Sequence, residues 1–355
     1  MRILYGVQGT GNGHITRARV MASGFAKRDD VKVDFLFSGR DSNKYFDMEV
    51  FGQYRSFEGL SFIVNNGCID RWETLKSAKL STLIRDIRQL DLSAYDLVIN
   101  DFEPISAWAA KLIGIPSISI SHQAAFTHPI PMSCDNLFDR FITKFFAPAK
   151  IQLGVHWYHF GQAIMPPFIQ IPKLQGVVGK HLLVYLPFED IDTINNLLET
   201  LSEHDFICFH PAIESLTRHS NITWLKPSKD GFSQALQTCS GVIANAGFEL
   251  ASESLHLGKK LLLKPLDGQF EQLSNAVILS QIGLCHIMHA IDPDTIEEWL
   301  HSPPIEAIMF PSKPDILIEW LLDQERGNIT ELCNELWQQV HFPHPILQLF
   351  EQLTE

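Results

Sequence analysis

The six cysteines of this 355-residue chain form no Cys-x-x-Cys pair, and no histidine cluster has zinc-site spacing. This absence excludes a zinc ribbon and a dithiol redox motif, and it favours a cytoplasmic protein with reduced thiols. No apolar run is long enough to cross a bilayer, and none resembles a secretion signal. With 28 Lys and Arg against 41 Asp and Glu, the net charge of -13 argues against general nucleic-acid binding.

The apolar content predicts a folded protein of two domains. Hydrophobic residues make up 45% of the chain, with 24 Phe among them, and 355 residues exceed the usual size of one core. A proline-marked segment at 165–172 interrupts the pattern and is predicted to connect the domains. The predicted boundaries are 1–160 for the first domain, 161–180 for the connection and 181–342 for the second domain.

Short apolar runs alternate with segments of helical period, which is typical of parallel strands joined by crossover helices. Both halves are therefore predicted to be doubly wound α/β domains. Strands are predicted at 2–7, 32–37, 96–100, 116–120, 181–187, 205–209, 221–225, 241–245 and 260–264. Helices are predicted over 76–90 and from about Ile15, Ile191, Gly231, Phe248 and Gln272.

A glycine-rich loop, Gly6 to His14, follows the first strand and leads into a helix. Free N–H groups at a helix start attract anions, so a phosphate is the predicted guest of Gly11, Asn12 and Gly13. The spacing is not that of the dinucleotide fingerprint, because His14 takes the place of the third glycine. The alternative is a plain strand–helix turn, which would need only one or two glycines.

His14 stands where an imidazole could take a proton from a hydroxyl at neutral pH. Asp101 ends a predicted central strand, and its carboxylate could orient His14 and stabilise the imidazolium. Glu103 and His122 are predicted at the same edge of the sheet, as candidates for the acceptor side. Each of these four residues could instead cap a helix.

In the second half, a small-residue turn between a strand and a helix could hold phosphate in the same way. Glu253, on that helix, could accept two hydrogen bonds from a ribose diol. Glu271 and Gln272, at the start of another helix, could bind sugar hydroxyls. The turn consists of Asn245, Ala246, Gly247 and Phe248.

Four patterns occur in order along the chain: G-x-G-x-G-H at 9–14, G-x5-E at 247–253, G-K-x-x-L-x-x-P at 258–265 and Q-x-x-N-A at 272–276. Together they resemble the GT-B nucleotide-sugar glycosyltransferases. The resemblance is to family 28, which includes the lipid-linked N-acetylglucosaminyltransferase of peptidoglycan synthesis, and to the related family 1. It implies two Rossmann-like domains facing across a cleft, with the final helix, near 345–352, crossing back onto the first domain.

By this resemblance the first domain binds the acceptor and the second binds the donor. The implied reaction transfers a hexosyl group from a nucleoside-diphosphate sugar, with uridine favoured, to a hydroxyl of a sugar or lipid-linked acceptor. The resemblance implies inversion at the anomeric carbon, and it implies neither a cofactor nor a metal. His14 would be the base and Asp101 its partner. Glu253 would bind the ribose, and Glu271 and Gln272 the donor sugar.

Glu249, another donor-side residue, departs from the family pattern. It lies near the expected pyrophosphate, and its charge would repel that group unless it points away or binds something else. Two Asp-x-Asp strings, at 190–192 and 292–294, resemble the metal-binding string of transferases of another fold. Both precede predicted helices, so N-caps are predicted instead.

Lipid-linked acceptors are common in family 28, so the resemblance also suggests peripheral contact of the first domain with the inner membrane face. An apolar helical stripe near basic residues is the candidate surface, and a buried core face is the alternative. The stripe consists of Leu137, Phe138, Phe141, Ile142, Phe145 and Phe146.

Two other functions stay open. A nucleotide-sugar 2-epimerase of the same architecture would need further acid/base groups, for which Glu103, His122 and His210 are available. A non-catalytic sugar-nucleotide-binding regulator would not need His14 or Asp101.

Overall fold

The structure is a computed structural model that describes residues 1–60, 64–65, 68–69, 79–133, 142–171 and 179–354. Parts of several predictions lie outside the described residues: Cys134, Leu137, Phe138, Phe141, residues 76–78 of a predicted helix and residues 172–178 of the predicted connection. No helix within the described ranges is both long and apolar enough to cross a bilayer.

The first lobe is built on one parallel sheet. The strands of this half are β1 (Arg2–Gln8), β2 (Lys32–Ser38), β3 (Tyr54–Phe57), β4 (Val64–Asn65), β5 (Cys68–Ile69), β6 (Leu97–Asp101), β7 (Ser117–Ser121), β8 (Ile151–Val155) and β9 (Ile164–Met165). The sheet has the order β3-β2-β1-β6-β7-β8-β9, while β4 and β5 pair with each other. The central strands are buried on both faces; β1 and β6 accordingly have largely apolar sequences, whereas β7 alternates serine and isoleucine.

Helices cover both faces of this sheet. They are α1 (Asn12–Phe25), α2 (Leu80–Gln89), α3 (Pro104–Ile113) and α4 (His122–Ala125). Helix α1 buries residues at helical spacing, including Ile15, Ala18, Met21 and Phe25. Helix α3 ends at Gly114, whose positive φ of 84° favours glycine.

The second lobe repeats the arrangement. Its strands are β10 (Leu182–Tyr185), β11 (Phe206–Phe209), β12 (Thr217–His219), β13 (Ile222–Leu225), β14 (Gly241–Asn245), β15 (Lys260–Lys264) and β16 (His286–Ile287), in the order β12-β13-β11-β10-β14-β15-β16. Only β12 pairs antiparallel among these strands. The helices are α5 (Ile191–Glu199), α6 (Lys229–Thr238), α7 (Phe248–His256), α8 (Phe270–Gln281) and α9 (Pro293–Leu300).

Three last helices, α10 (Asp315–Leu322), α11 (Ile329–Trp337) and α12 (His344–Gln352), contact the first lobe. The ring of Phe350 stacks on Tyr158 at 5.0 Å, and the indole of Trp337 donates to the carbonyl of Ile164 at 2.7 Å. Ile164 belongs to β9, so the first sheet extends into the predicted connection.

The predicted α/β architecture of two doubly wound lobes is confirmed, and all nine predicted strands are present within a few residues. The sequence analysis did not predict β3, β4, β5, β8, β9, β12 or β16. All of these lie at or near the edges of their sheets, where strands are short and their apolar patterns are weak.

Candidate active site

The central feature of the cleft is a hydrogen bond between His14 and Asp101. His14 lies in the first turn of α1, and Asp101 ends β6, which pairs with β1. The Nδ1 atom of His14 is 2.7 Å from Oδ1 of Asp101. Asp101 is fully buried, whereas the His14 side chain is 15% exposed. Within the described part of the chain, no protein group bonds to Nε2 of His14, which leaves that nitrogen accessible to a hydroxyl.

Arg17 also binds this carboxylate. Its Nε donates to Oδ2 of Asp101 and its Nη2 to Oδ1, both at 2.8 Å. Burial opposes ionisation of Asp101, but Arg17 and His14 outweigh it and hold the pKa of that carboxyl below its usual value. An ionised Asp101 accepts the proton on Nδ1 of His14, so the lone pair of the imidazole lies on Nε2.

Glu249 reaches the same guanidinium from the second lobe. It lies in the first turn of α7, and its Oε1 accepts from Nη1 of Arg17. Burial raises the pKa of Glu249 to about 6, against the attraction of Arg17. Helices α1 and α7 lie close together here, as a Cβ built on Gly13 shows: it would be only 3.0 Å from Cγ of Glu249. The carboxylate that seemed to oppose a pyrophosphate is therefore bound to a cation.

The remaining residues of the glycine-rich loop line the same junction. Gly11 is the N-cap residue of α1, with no side-chain cap and open space where a Cβ would be. Asn12 donates to the hydroxyl of Tyr185 in the second lobe at 3.0 Å, and its Oδ1 accepts from Arg40 at 2.9 Å. Arg40 also donates to the carbonyl of Thr10. The loop thus binds the guanidinium of Arg40, a residue to which the sequence analysis gave no role.

The predicted turn of the second lobe begins α7. Gly247 is the N-cap residue, again without a side-chain cap and with open space at its Cβ position. Asn245 donates to a backbone carbonyl of β15, and the carbonyl of Ala246 accepts from Asn275. The first turns of α1 and α7, neither with a side-chain cap, therefore lie close together, where Gly13 approaches Glu249.

Glu253 lies four residues after Glu249 on α7 and is half-buried. Burial and, to a smaller extent, the charge of Glu249 raise its pKa to about 8, against the opposing effect of Arg19 in the first lobe. Glu253 is thus largely protonated at neutral pH in the free protein.

Glu271 and Gln272, at the start of α8, have different surroundings. Glu271 accepts from Nε2 of Gln123 in the first lobe at 2.8 Å. Gln272 is buried, and its Oε1 accepts from the amide of Leu266 at 3.0 Å. Glu271 therefore reaches the cleft, whereas the oxygen of Gln272 holds the turn after β15.

His122 is enclosed between the lobes. Its Nδ1 is 2.8 Å from the carbonyl of Val155, and its Nε2 is 2.8 Å from Oδ1 of Asn275. The imidazole stacks on Phe248 at 4.0 Å, and burial lowers its pKa. The N-cap of α4 is Ser121 rather than His122. His122 therefore joins the two lobes with both ring nitrogens occupied.

Glu103 is the N-cap of α3 and is fully buried. Its carboxylate accepts from the amides of Ile105 and Ser106 and from the hydroxyls of Ser106 and Ser38, at 2.6–2.8 Å. These contacts give Glu103 the helix-capping role, which is the alternative that the sequence analysis left open.

His210, the other histidine available to an epimerase, lies after β11, where its Nδ1 accepts from the amide of Ala212 at 3.2 Å. Glu103, His122 and His210, the acid/base candidates for an epimerase, thus each bond to different partners in the structure. The Asp-x-Asp strings behave as predicted: Asp190 and Asp292 accept from backbone amides three residues on and cap α5 and α9.

Arg17 is the main residue that sequence reasoning missed. Its one local signal is its position three residues after His14, which puts both side chains on the same face of α1. Nothing local indicates its partner in the second lobe, which is 232 residues away.

Solved structures with the same fold are glycosyltransferases of low sequence identity. The glycotransferase of kitacinnamycin is 12% identical, with a TM-score of 0.58 over 99% of this chain and 97% of that one. MurG of Acinetobacter baumannii is 14% identical, with a TM-score of 0.50 over 99% and 98%. The glycosyltransferase VinC, solved with DTDP, is 13% identical, with a TM-score of 0.51 over 99% and 100%.

No curated protein sequence matches the chain. A sequence-family model described as "Glycosyl transferase family 1" matches residues 1–304, which include His14, Arg17, Asp101 and the α7 turn. The resemblance inferred from the motifs is thereby confirmed, and the chain belongs to glycosyl transferase family 1.

Proposed function

We propose that this glycosyltransferase moves a hexosyl group from a nucleoside-diphosphate sugar to an acceptor hydroxyl, with inversion at the anomeric carbon. The observation that carries the proposal is the His14–Asp101 pair beside the first turns of two helices that lack side-chain caps. Nε2 of His14 takes the acceptor proton while the acceptor oxygen bonds to the anomeric carbon. The bond from that carbon to the diphosphate oxygen breaks, and the diphosphate leaves with the electron pair.

The diphosphate is proposed to lie between Gly11 and Gly247. Both residues begin helices whose first amides lack a side-chain cap, and both leave open space at the Cβ position. Helix N-termini stabilise negative charge, which grows on the diphosphate as it leaves. Arg17 binds Glu249 and thereby reduces its repulsion of the anion, while the same guanidinium also binds Asp101.

Uridine is the nucleoside that the motif resemblance favours. The DTDP in the VinC structure makes thymidine the first alternative. Glu253 is proposed to bind the ribose and Glu271 the donor sugar. Glu271 already accepts a hydrogen bond across the cleft, so a sugar hydroxyl could replace Gln123 as its donor. Gln272 would then contribute through its amide nitrogen, since its oxygen is occupied.

Glu253 makes donor binding depend on pH. Its pKa is about 8 in the free protein, and two ribose hydroxyls would favour the carboxylate. Binding should therefore release a proton, and affinity for a nucleotide-sugar should rise about tenfold between about pH 6.5 and about pH 8.5. Calorimetry in buffers of different ionisation enthalpy measures both effects. A Glu253→Gln variant should bind more weakly and without this dependence; an unchanged pH dependence would refute the ribose role.

A membrane-facing surface is proposed for the first lobe. Leu112 and Ile113, at the end of α3, are 64% and 62% exposed, and Leu80 and Ile84 on the neighbouring α2 are about half exposed. Exposed basic residues surround them: Lys79, Arg85, Arg88 and Lys111. Apolar side chains ringed by cations suit an anionic bilayer surface.

The originally predicted stripe is only partly described. Phe145 is 38% exposed, while Ile142 and Phe146 are half-buried and Phe146 stacks on Phe102 at 4.8 Å. The α2–α3 surface therefore supports the membrane proposal better than the stripe does.

The transferase proposal is tested by incubating the protein with uridine, thymidine, guanosine and adenosine diphosphate sugars. Soluble sugar acceptors and lipid-linked acceptors in anionic vesicles are offered in parallel. We expect nucleoside diphosphate to form only when an acceptor is present. Conversion of the donor to an epimer without acceptor would support a 2-epimerase, and binding with neither reaction would support a regulator.

The vesicle arm also tests the membrane surface. An Ile113→Asp variant should lose cosedimentation with anionic vesicles and keep transfer to soluble acceptors. The matched control is Leu216→Asp, because Leu216 is equally exposed but lies in the second lobe. Equal vesicle binding of both variants would rule out this surface.

A further inference from the structure

Arg17 contacts both members of the proposed base pair and also the opposite lobe. Its Nε and Nη2 bind the two oxygens of Asp101, its Nη2 lies 3.2 Å from Nδ1 of His14, and its Nη1 binds Glu249. The Arg17, Asp101 and Glu249 side chains are 6%, 0% and 9% exposed. None of these charges can rely on water, so each depends on the others for compensation.

The residues of this cluster come from three secondary-structure elements. His14 and Arg17 project from one face of α1, Asp101 from the end of β6 and Glu249 from the first turn of α7. Because a planar guanidinium has donors on separate edges, it can bind Asp101 with two donors and Glu249 with a third. A lysine could not reproduce this arrangement.

Separation of the lobes would break the only one of these contacts that crosses the cleft, the bond from Arg17 to Glu249. The guanidinium of Arg17 would then be held less firmly in its position beside Asp101. The Asp101 carboxylate would in turn be held less firmly in its position beside His14. The reverse also holds: closing the lobes immobilises the guanidinium and, through it, the carboxylate that orients the imidazole.

We propose that Arg17 is a positioning residue that couples closure of the two lobes to assembly of the His14–Asp101 pair, with Glu249 as its anchor in the second lobe. This inference rests on the proposed function, since it assigns Arg17 a role in the same site. Arg17 acts through Asp101 and does not itself exchange a proton with substrate.

The kinetic test compares Arg17→Lys, Glu249→Gln and the double variant. We expect Arg17→Lys to lower kcat about 10- to 100-fold, as is typical when a group acts by orienting another, with little change in the KM for the donor. Because Asp101 loses a bidentate cation, the acid limb of the kcat/KM profile should move to higher pH. Glu249→Gln should lower kcat by less, and the double variant should be no worse than Arg17→Lys, because both act through one contact.

A purely structural role would give a different result. Arg17→Lys would then lower thermal stability and leave kcat and the acid limb unchanged in the folded fraction. Additive losses in the double variant would also contradict coupling through a single contact. The matched control is Arg28→Lys, a short distance after α1, whose guanidinium is partly exposed and pairs with the exposed Asp30; it should match wild type.

A second measurement needs no substrate. Small-angle scattering of the free protein should give a larger radius of gyration for Arg17→Lys and Glu249→Gln than for wild type and Arg28→Lys, because the lobes are less firmly closed. If no sugar donor is ever transferred, the proposed function fails and the scattering alone decides the coupling. Unchanged radii in both variants would overturn the proposal even if transfer is demonstrated.

Discussion

Replacement of His14 by alanine is expected to lower kcat for glycosyl transfer by about 10²- to 10⁴-fold, the range that a positioned base contributes. Nε2 of His14 is the accessible nitrogen of the pair, and its partner Asp101 is fully buried. The loss should fall on kcat and kcat/KM together, because proton removal is needed only in the transition state. Steady-state kinetics at saturating donor and acceptor measure it.

Donor binding by His14→Ala should stay near the wild-type value, since the imidazole contacts Asp101 and Arg17 rather than the proposed phosphate region. His219→Ala is the matched control, because His219 is 74% exposed and pairs only with an exposed glutamate, Glu199. Full transfer activity in His14→Ala would exclude this residue as the base and would leave the cluster around Arg17 without a catalytic role.

The largest effect on stability is expected from Glu103→Ala. Removing this carboxylate leaves the amides of Ile105 and Ser106 and two buried hydroxyls without their acceptor. The loss of an N-cap and of several buried hydrogen bonds should lower the free energy of unfolding by about 3–5 kcal/mol. Urea denaturation followed by circular dichroism measures the change.

The matched control is Glu58→Ala, since the carboxylate of Glu58 is exposed and pairs with the exposed Lys79; its effect should be below about 1 kcal/mol. Glu103→Gln keeps one acceptor oxygen and should lose less stability than Glu103→Ala, with kcat unchanged in the folded protein. A large loss of activity at unchanged stability would instead support the acceptor-binding role that the sequence analysis considered for Glu103.

Much of the fold could be predicted because its signals are local. Strands β1, β6 and β14 are buried on both faces and are largely apolar runs, and the intervening helices have apolar residues at helical spacing. The edge strands lack this signal: β3 has no buried residue, and β9 and β16 have two residues each. Their pairing is set by the neighbouring strand rather than by their own sequence.

The site was predictable to the same extent. The end of β6 lies beside the loop after β1 because parallel neighbours bring their carboxyl ends to one edge, so His14 and Asp101 could be paired from the sequence. Glu103 ends up at that edge too, but its side chain turns into the lobe as a helix cap. Spacing along the chain does not distinguish these two directions for a carboxylate.

The sequence by itself determined the α/β architecture, the two glycine-bearing helix starts and the edge that carries His14 and Asp101, since each follows from periodicity or from parallel strand order. Only the tertiary structure decided that Arg17 joins Asp101 to Glu249, and that His122 is enclosed against Phe248 and Asn275. These contacts join residues from two separately built lobes, and their existence depends on how closely α1 approaches α7. That approach is set by packing of the lobes as wholes, a property that no local stretch of sequence encodes.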